Sequence, residues 1–255
     1  MSSSGRPTRS HAAPVVRLLT ATLLAALVPL AGCGVVPDLP APVPTDVTGT
    51  ALPEPVPTAT GHLSPDGFDQ AQRMTVRIRN IGCSSLSTGS GFAIDATTLI
   101  TNRHVVADSA HLQLSTYDGR DVAVTAASTA SLADLAVVRT AEHLPAAPEL
   151  AAHDPTVGDP VTVVGYPLGG RLTVTSGRVT GRTTDPLHQS LGVVLVTDAP
   201  VEPGSSGSAA LDAQGRVIGV VYAKDSSGES FLVPVSTVRT VLADASAFAP
   251  VPACP

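Results

Sequence analysis

The sequence predicts an all-β domain that follows an export leader and ends in one helix. Short apolar runs recur from "MTVRIRN" through "DLAVVRT", "PVTVVGYP", "GVVLVTD" and "GRVIGVVYA" to "SFLVPVS". Turn residues punctuate them at roughly 8–12-residue intervals, the signature of a barrel or sandwich. The stretch "HLQLSTYDGRDVAVTAA" alternates on both sides of an Asp-Gly pair, a strong hairpin signal. Only "STVRTVLADASAF" reads as a good helix, over about 236–247, with Ser236 or Thr237 as its N-cap.

The leader justifies the compartment. Arg6, Arg9 and Arg17 precede an apolar run from Leu18 to Gly32, too short to span a bilayer comfortably. The run ends in "LAGC", which resembles the lipobox of bacterial lipoproteins. That resemblance implies cleavage after residue 32 and acylation of Cys33, with the chains holding the protein on a membrane surface. Residues 33–66 contain eight prolines between Val35 and Asp66 and read as an extended spacer. Residues 67–255 form the globular part, one domain by the usual size range.

Charge excludes one class of partner. Removing residues 1–32 takes three arginines and no acid from a chain of net charge −6, leaving −9. Such a chain has little with which to neutralise phosphates, so nucleic acid is not expected. Of the three cysteines, Cys33 goes to lipid. Cys83 and Cys254 remain as an even pair in an exported protein, for which a disulfide is the default and two free thiols the alternative. No cysteine spacing suggests zinc, and no metal or cofactor is expected.

The stretch "EPGSSGSA" at 202–209 is either a polar turn or a loop that holds a nucleophile. A serine hydroxyl needs a base and a group that orients that base. Seven histidines are present. His11 and His62 fall in the leader and spacer, and His111, His143, His153 and His188 sit in polar, solvated contexts. His104 instead follows an apolar strand in "LITNRHVVADSA", at the start of a short helical turn. Asp134 heads the strand in "ASLADLAVVRT", where a buried carboxylate needs a partner. The chain order His104, Asp134, Ser206 is that of chymotrypsin-like enzymes.

The surrounding words carry the resemblance. "GSGFAID", "ITNRHVV", "DLAVVR", "VGDPVTVVGYPLGG", "TVTSGRVTG" and "TDAPVEPGSSGSAAL" resemble the bacterial HtrA/DegP branch of trypsin-like serine proteases, over about Met74 to Leu242. The single-domain form is similar to actinobacterial periplasmic proteases. The resemblance implies two six-stranded antiparallel β-barrels, about 72–145 and 153–235. It implies His104 as general base, Asp134 as its orienter and Ser206 as nucleophile, with the N–H groups of Gly204 and Ser206 as oxyanion hole. It also implies a Cys83–Cys254 disulfide from domain start to tail. Expected partners are a protein or peptide substrate and the membrane. With no PDZ segment after the protease, the HtrA trimer is not carried over and a monomer is expected. Localisation is expected to be extracytoplasmic, on the cell membrane.

Two departures stand out. Ser208 replaces the glycine that many relatives carry two residues after the nucleophile, and Ser205 stands where trypsin has an acid. The specificity pocket is expected between the residues before Ser206 and the strand from Val221 to Lys224, with small or medium apolar side chains preferred. A binding lipoprotein on a silent protease fold is the alternative function. An α/β-hydrolase esterase is excluded because its G-x-S-x-G motif needs glycine at 208.

Overall fold

The computed structural model describes residues 69–130, 132–187 and 191–254. The leader, the spacer, Cys33 and His188 lie outside the described residues. The first half holds α1 (Gln70–Arg73), β1 (Thr75–Gly82), β2 (Leu86–Ala93), β3 (Thr98–Asn102), α2 (Arg103–Val106), β4 (Ser109–Thr116), β5 (Asp121–Val122), β6 (Val124–Ala130) and β7 (Leu135–Thr140). The second holds β8 (Pro160–Gly165), β9 (Thr173–Thr184), β10 (Val193–Thr197), β11 (Ala209–Leu211), β12 (Val217–Lys224) and β13 (Ser230–Pro234). Then come α3 (Val235–Ala243) and β14 (Phe248–Pro250).

The second half is a closed six-stranded barrel in the order β10-β13-β12-β11-β8-β9. The first half departs from the expected six-stranded barrel. It is an eight-stranded sheet in the order β14-β6-β7-β3-β2-β1-β4-β5, and its end strands β14 and β5 are not paired with each other. Two features explain this. The hairpin at Asp118–Gly119 forms, with Gly119 at φ +81°, but β5 lasts only two residues before the chain leaves to pair with β7 as β6. The free edge of β6 is then covered by the C-terminal β14, in the register Phe248↔Ala130. A covered edge is closed to further strand addition.

Alternation builds the cores. In β1, Val76, Ile78 and Asn80 face inward while Arg79 faces water. Val76, Ile78, Leu99, Val105, Leu114 and Val138 fill the first sheet's interior. Val161, Val163, Leu195, Ile218 and Leu232 fill the barrel. A third cluster joins the halves, with Met74, Phe92 and Ile100 packed against residues such as Val164, Val220 and Phe231. The site lies along this seam.

Helix α3 begins at Val235, and neither Ser236 nor Thr237 caps it. The carboxylate of Asp154 accepts from the Ser236 N–H at 2.9 Å and from its hydroxyl at 2.8 Å. A distant acid thus satisfies a donor that the local sequence was expected to satisfy. Cys83 and Cys254 are joined by a disulfide with their Cα atoms 5.5 Å apart, which anchors the tail beside β14.

Candidate active site

His104 and Asp134 come together where β3 and β7 pair, Asn102 opposite Leu135. The chain turns from β3 into the single-turn α2, which carries His104. Asp134 sits just before β7 at φ +42°, a conformation rare for a side-chain-bearing residue. Its carbonyl accepts from the Arg103 N–H at 3.0 Å and from Asn102 Nδ2 at 3.0 Å. Its carboxylate accepts from the His104 N–H at 3.1 Å and meets His104 Nδ1 at 2.7 Å. Arg103 Nε lies 3.8 Å away. The Asp134 side chain is 1% exposed and the His104 side chain 44%. A carboxylate only accepts, so Nδ1 carries the proton shared with Asp134, and in the neutral ring Nε2 is left as an acceptor. The remaining described histidines, His111, His143 and His153, are exposed and apart from this pair.

Ser206 lies on the loop between β10 and β11. The loop is pressed against the first half of the molecule. A Cβ on Gly207 would sit 2.0 Å from the Ser90 carbonyl oxygen and 2.4 Å from Thr101 Oγ1, so only glycine, here at φ +86°, passes. Thr101 lies on β3 three residues before His104, so the loop packs against the strand that leads into the His104 turn. No hydrogen bond joins Ser206 to His104 among the described residues. Ser205 faces inward: it is 4% exposed, and its hydroxyl accepts from the Glu202 N–H at 3.2 Å.

Counting backbone bonds through this loop separates its amides into two sets. The carbonyls of Pro203, Gly204, Ser205 and Ser206 accept from Leu168 N–H (2.6 Å), Ser90 Oγ (2.8 Å), Ser208 N–H (3.0 Å) and Ser90 N–H (2.8 Å). The N–H groups of Ser205, Gly207 and Ser208 donate to the carbonyls of Glu202, Val221 and Ser205. The N–H groups of Gly204 and Ser206 donate to nothing among the described residues. Buried amides are nearly always paired, so these two unspent donors, on residues 204 and 206, leave hydrogen-bonding capacity for an acceptor. Gly204 has φ +94°, and its trans peptide points the N–H away from the Pro203 carbonyl that Leu168 holds.

A cavity of about 180 Å³ opens beside Ser206. Val201, Pro203, Val221 and Ala223 make its apolar walls, and Glu202 and Lys224 form an ion pair of 2.6 Å on its lining. Asp198 does not line it and instead accepts from the Arg178 N–H at 2.6 Å. Sequence reasoning located the pocket but missed the ion pair, although Lys224 is the only lysine in the chain. It also missed Ser90, whose signal was its place in the "GSGF" word. Ser208 fits because Gly165 faces it: a Cβ there would be 1.8 Å from Ser208 Oγ. That hydroxyl is buried and has no hydrogen-bond partner among the described residues.

A closed six-stranded barrel packed on a second antiparallel sheet is a fold this chain shares with known peptidase domains. Residues 89–220 match the family described as trypsin-like peptidase domain. The serine protease Do-like HtrA of Bacillus subtilis is 34% identical over 157 residues, covering 56% of this chain and 35% of that protein. The crystal structure of the Rv3671c protease from M. tuberculosis, active form, superposes with a TM-score of 0.64 at 29% identity, covering 72% of this chain and 86% of that one. The HtrA-type protease AlgW with tripeptide gives 0.60 at 27% identity, over 68% and 60% of the two chains. This chain therefore belongs to the trypsin-like peptidase domain family and is related to its HtrA serine proteases. It spans about a third of the length of the Bacillus relative.

Proposed function

We propose that the protein is an extracytoplasmic serine endopeptidase, held to the membrane by lipid on Cys33. Residues 1–32 are its signal peptide, 33–66 its spacer and 67–255 its catalytic domain. His104 Nε2 takes the proton of Ser206 Oγ as that oxygen attacks the scissile carbonyl carbon. The N–H groups of Gly204 and Ser206 receive the oxyanion. His104 then gives the proton to the leaving amine, and water repeats the sequence on the acyl-enzyme. Asp134 holds the ring in its Nδ1–H form and stabilises the imidazolium.

The observation that carries this reading is the pair of unspent amides beside Ser206. Preorganised donors of this kind supply on the order of 10²–10³ in rate apiece. The apolar cavity supports a small or medium apolar side chain on the substrate. The relatives named as serine proteases, and a neighbour solved with a tripeptide, support a protein or peptide substrate. No helix among the described residues is long and apolar enough to cross a membrane.

The missing Ser206–His104 hydrogen bond favours one second reading, a silent protease-fold lipoprotein that binds peptides. Catalytic hydrogen bonds are often long without substrate. Fluorophosphonate labelling separates the two. Labelling lost in Ser206→Ala and kept in Ser205→Ala supports the peptidase. No labelling of folded wild-type protein supports the binder.

A further inference from the structure

Ser90 is the strongest unassigned feature of the seam. It lies on β2, is fully buried, and makes four hydrogen bonds to three separate segments. Its hydroxyl donates to the Gly204 carbonyl at 2.8 Å and accepts from the Tyr166 N–H at 2.8 Å. Its N–H donates to the Ser206 carbonyl at 2.8 Å, and its carbonyl accepts from Thr101 Oγ1 at 2.6 Å. A hydroxyl has one proton, and here that proton is committed to Gly204.

The consequence follows from peptide geometry. The orientation of a trans peptide is fixed once its carbonyl is held. The Ser90 hydroxyl holds the carbonyl of Gly204. By binding Tyr166, it also anchors the turn at Pro167–Gly169, whose Leu168 N–H holds the carbonyl of Pro203. That second carbonyl sets the direction of the Gly204 N–H. Gly204 has no Cβ to restrict its backbone, so these bonds and the packing around it hold it in place. The contact is tight: a Cβ on Gly204 would meet the Leu168 N, Tyr166 O and Gly169 N atoms at 2.8–2.9 Å.

Resting on the peptidase reading above, we infer that Ser90 is a positioning residue for the oxyanion site. It is the point through which the first sheet fixes the Gly204 amide of the nucleophile loop. Ser90 touches no substrate. Its hydroxyl acts through Gly204 and Tyr166.

The test compares wild type, Ser90→Ala, Ser90→Thr and Thr101→Val. Thr101→Val removes a bond to the Ser90 carbonyl and leaves the Ser90 hydroxyl alone, so it reports the purely structural cost of loosening this residue. Thermal melts grade the stability loss of each variant. Fluorophosphonate labelling at several probe concentrations separates the limiting rate from the half-saturating concentration. In Ser90→Ala the limiting rate is expected to fall about 10–100-fold, short of the 10²–10³ for deleting a donor outright. The half-saturating concentration is expected to stay within about twofold, as for loss of an interaction made only in the transition state. Thr101→Val keeps a limiting rate near wild type, and Ser90→Thr, which retains the hydroxyl, recovers most of it. Equal rate losses in Ser90→Ala and Thr101→Val at equal stability loss overturn the assignment. If wild type does not label at all, the peptidase reading fails while the positioning claim is still read by amide NMR. The Gly204 and Ser206 signals shift more in Ser90→Ala than in Thr101→Val if it holds, and equally or less if it does not.

Discussion

Replacing Gly165 with alanine puts a methyl carbon 1.8 Å from Ser208 Oγ and 2.9 Å from Ser90 Oγ. Real Cβ atoms essentially never come within 3.0 Å of another heavy atom, so something must move. Ser208 is fully buried and has no slack. Overpacking costs of this kind run to about 3 kcal/mol. For a domain of this size that lowers Tm by about 6–12 °C. Ser208→Gly alone has opposing effects. It removes a buried hydroxyl with no partner, worth about 1–3 kcal/mol, and adds glycine backbone entropy of about 0.5–1 kcal/mol. It should therefore range from neutral to about 2.5 kcal/mol more stable than wild type. Combined with Gly165→Ala it empties the space the new methyl needs and leaves only the 2.9 Å contact to Ser90. The double variant should then recover at least about 1–2 kcal/mol over the sum of the singles, a coupling typical of residues in contact. Urea and thermal melts of the four proteins give the cycle. A coupling within about 0.5 kcal/mol of zero refutes the idea that Gly165 is what admits serine at 208.

Asp134→Asn keeps the shape of the site but no longer enforces the Nδ1–H form of His104. Fluorophosphonate labelling should slow by about 10³–10⁴-fold, in line with the effect in the worked trypsin case. Burial pushes the Tyr166 hydroxyl up to about 12 from its ordinary value of 10. Its contribution to stability is therefore complete below pH 10 and lost as pH rises toward 12. Alkaline melts should show this loss, and Tyr166→Phe should reduce it. At pH 7 Tyr166→Phe should not destabilise, because the hydroxyl it removes has no hydrogen-bond partner among the described residues. Breaking Cys83–Cys254, by Cys83→Ser with Cys254→Ser, frees a loop of 171 residues. The chain-entropy account puts that at about 5 kcal/mol, and identical melts would rule it out.

The parts of the site that were readable in the sequence are those whose chemistry is local. His104 sits in a strand-to-turn word and Asp134 at a strand head, and each position makes sense without its partner. The choice of Ser206 over Ser205 followed from motif position alone. What escaped depends on segments far apart in the chain. The Ser90 bond to Gly204 spans 114 residues, the Asp154 bond to α3 spans 82, and the Glu202–Lys224 pair spans 22. The small residues of β6 carry no burial alternation, with only Ala130 buried, and nothing in its sequence says what covers its edge. The eight-stranded sheet in place of a closed first barrel was therefore hidden.

The disulfide has a consequence for a proteolytic enzyme that meets its own kind. His104, Asp134 and Ser206 all lie between Cys83 and Cys254, so the polypeptide that carries them is a covalent ring. One cut anywhere between those cysteines turns the ring into a line without releasing either piece. The fragments stay joined and, where the sheets hold, stay folded. Loss of material requires a second cut or a reductant. Such a molecule can be nicked by a neighbouring copy and remain in one piece.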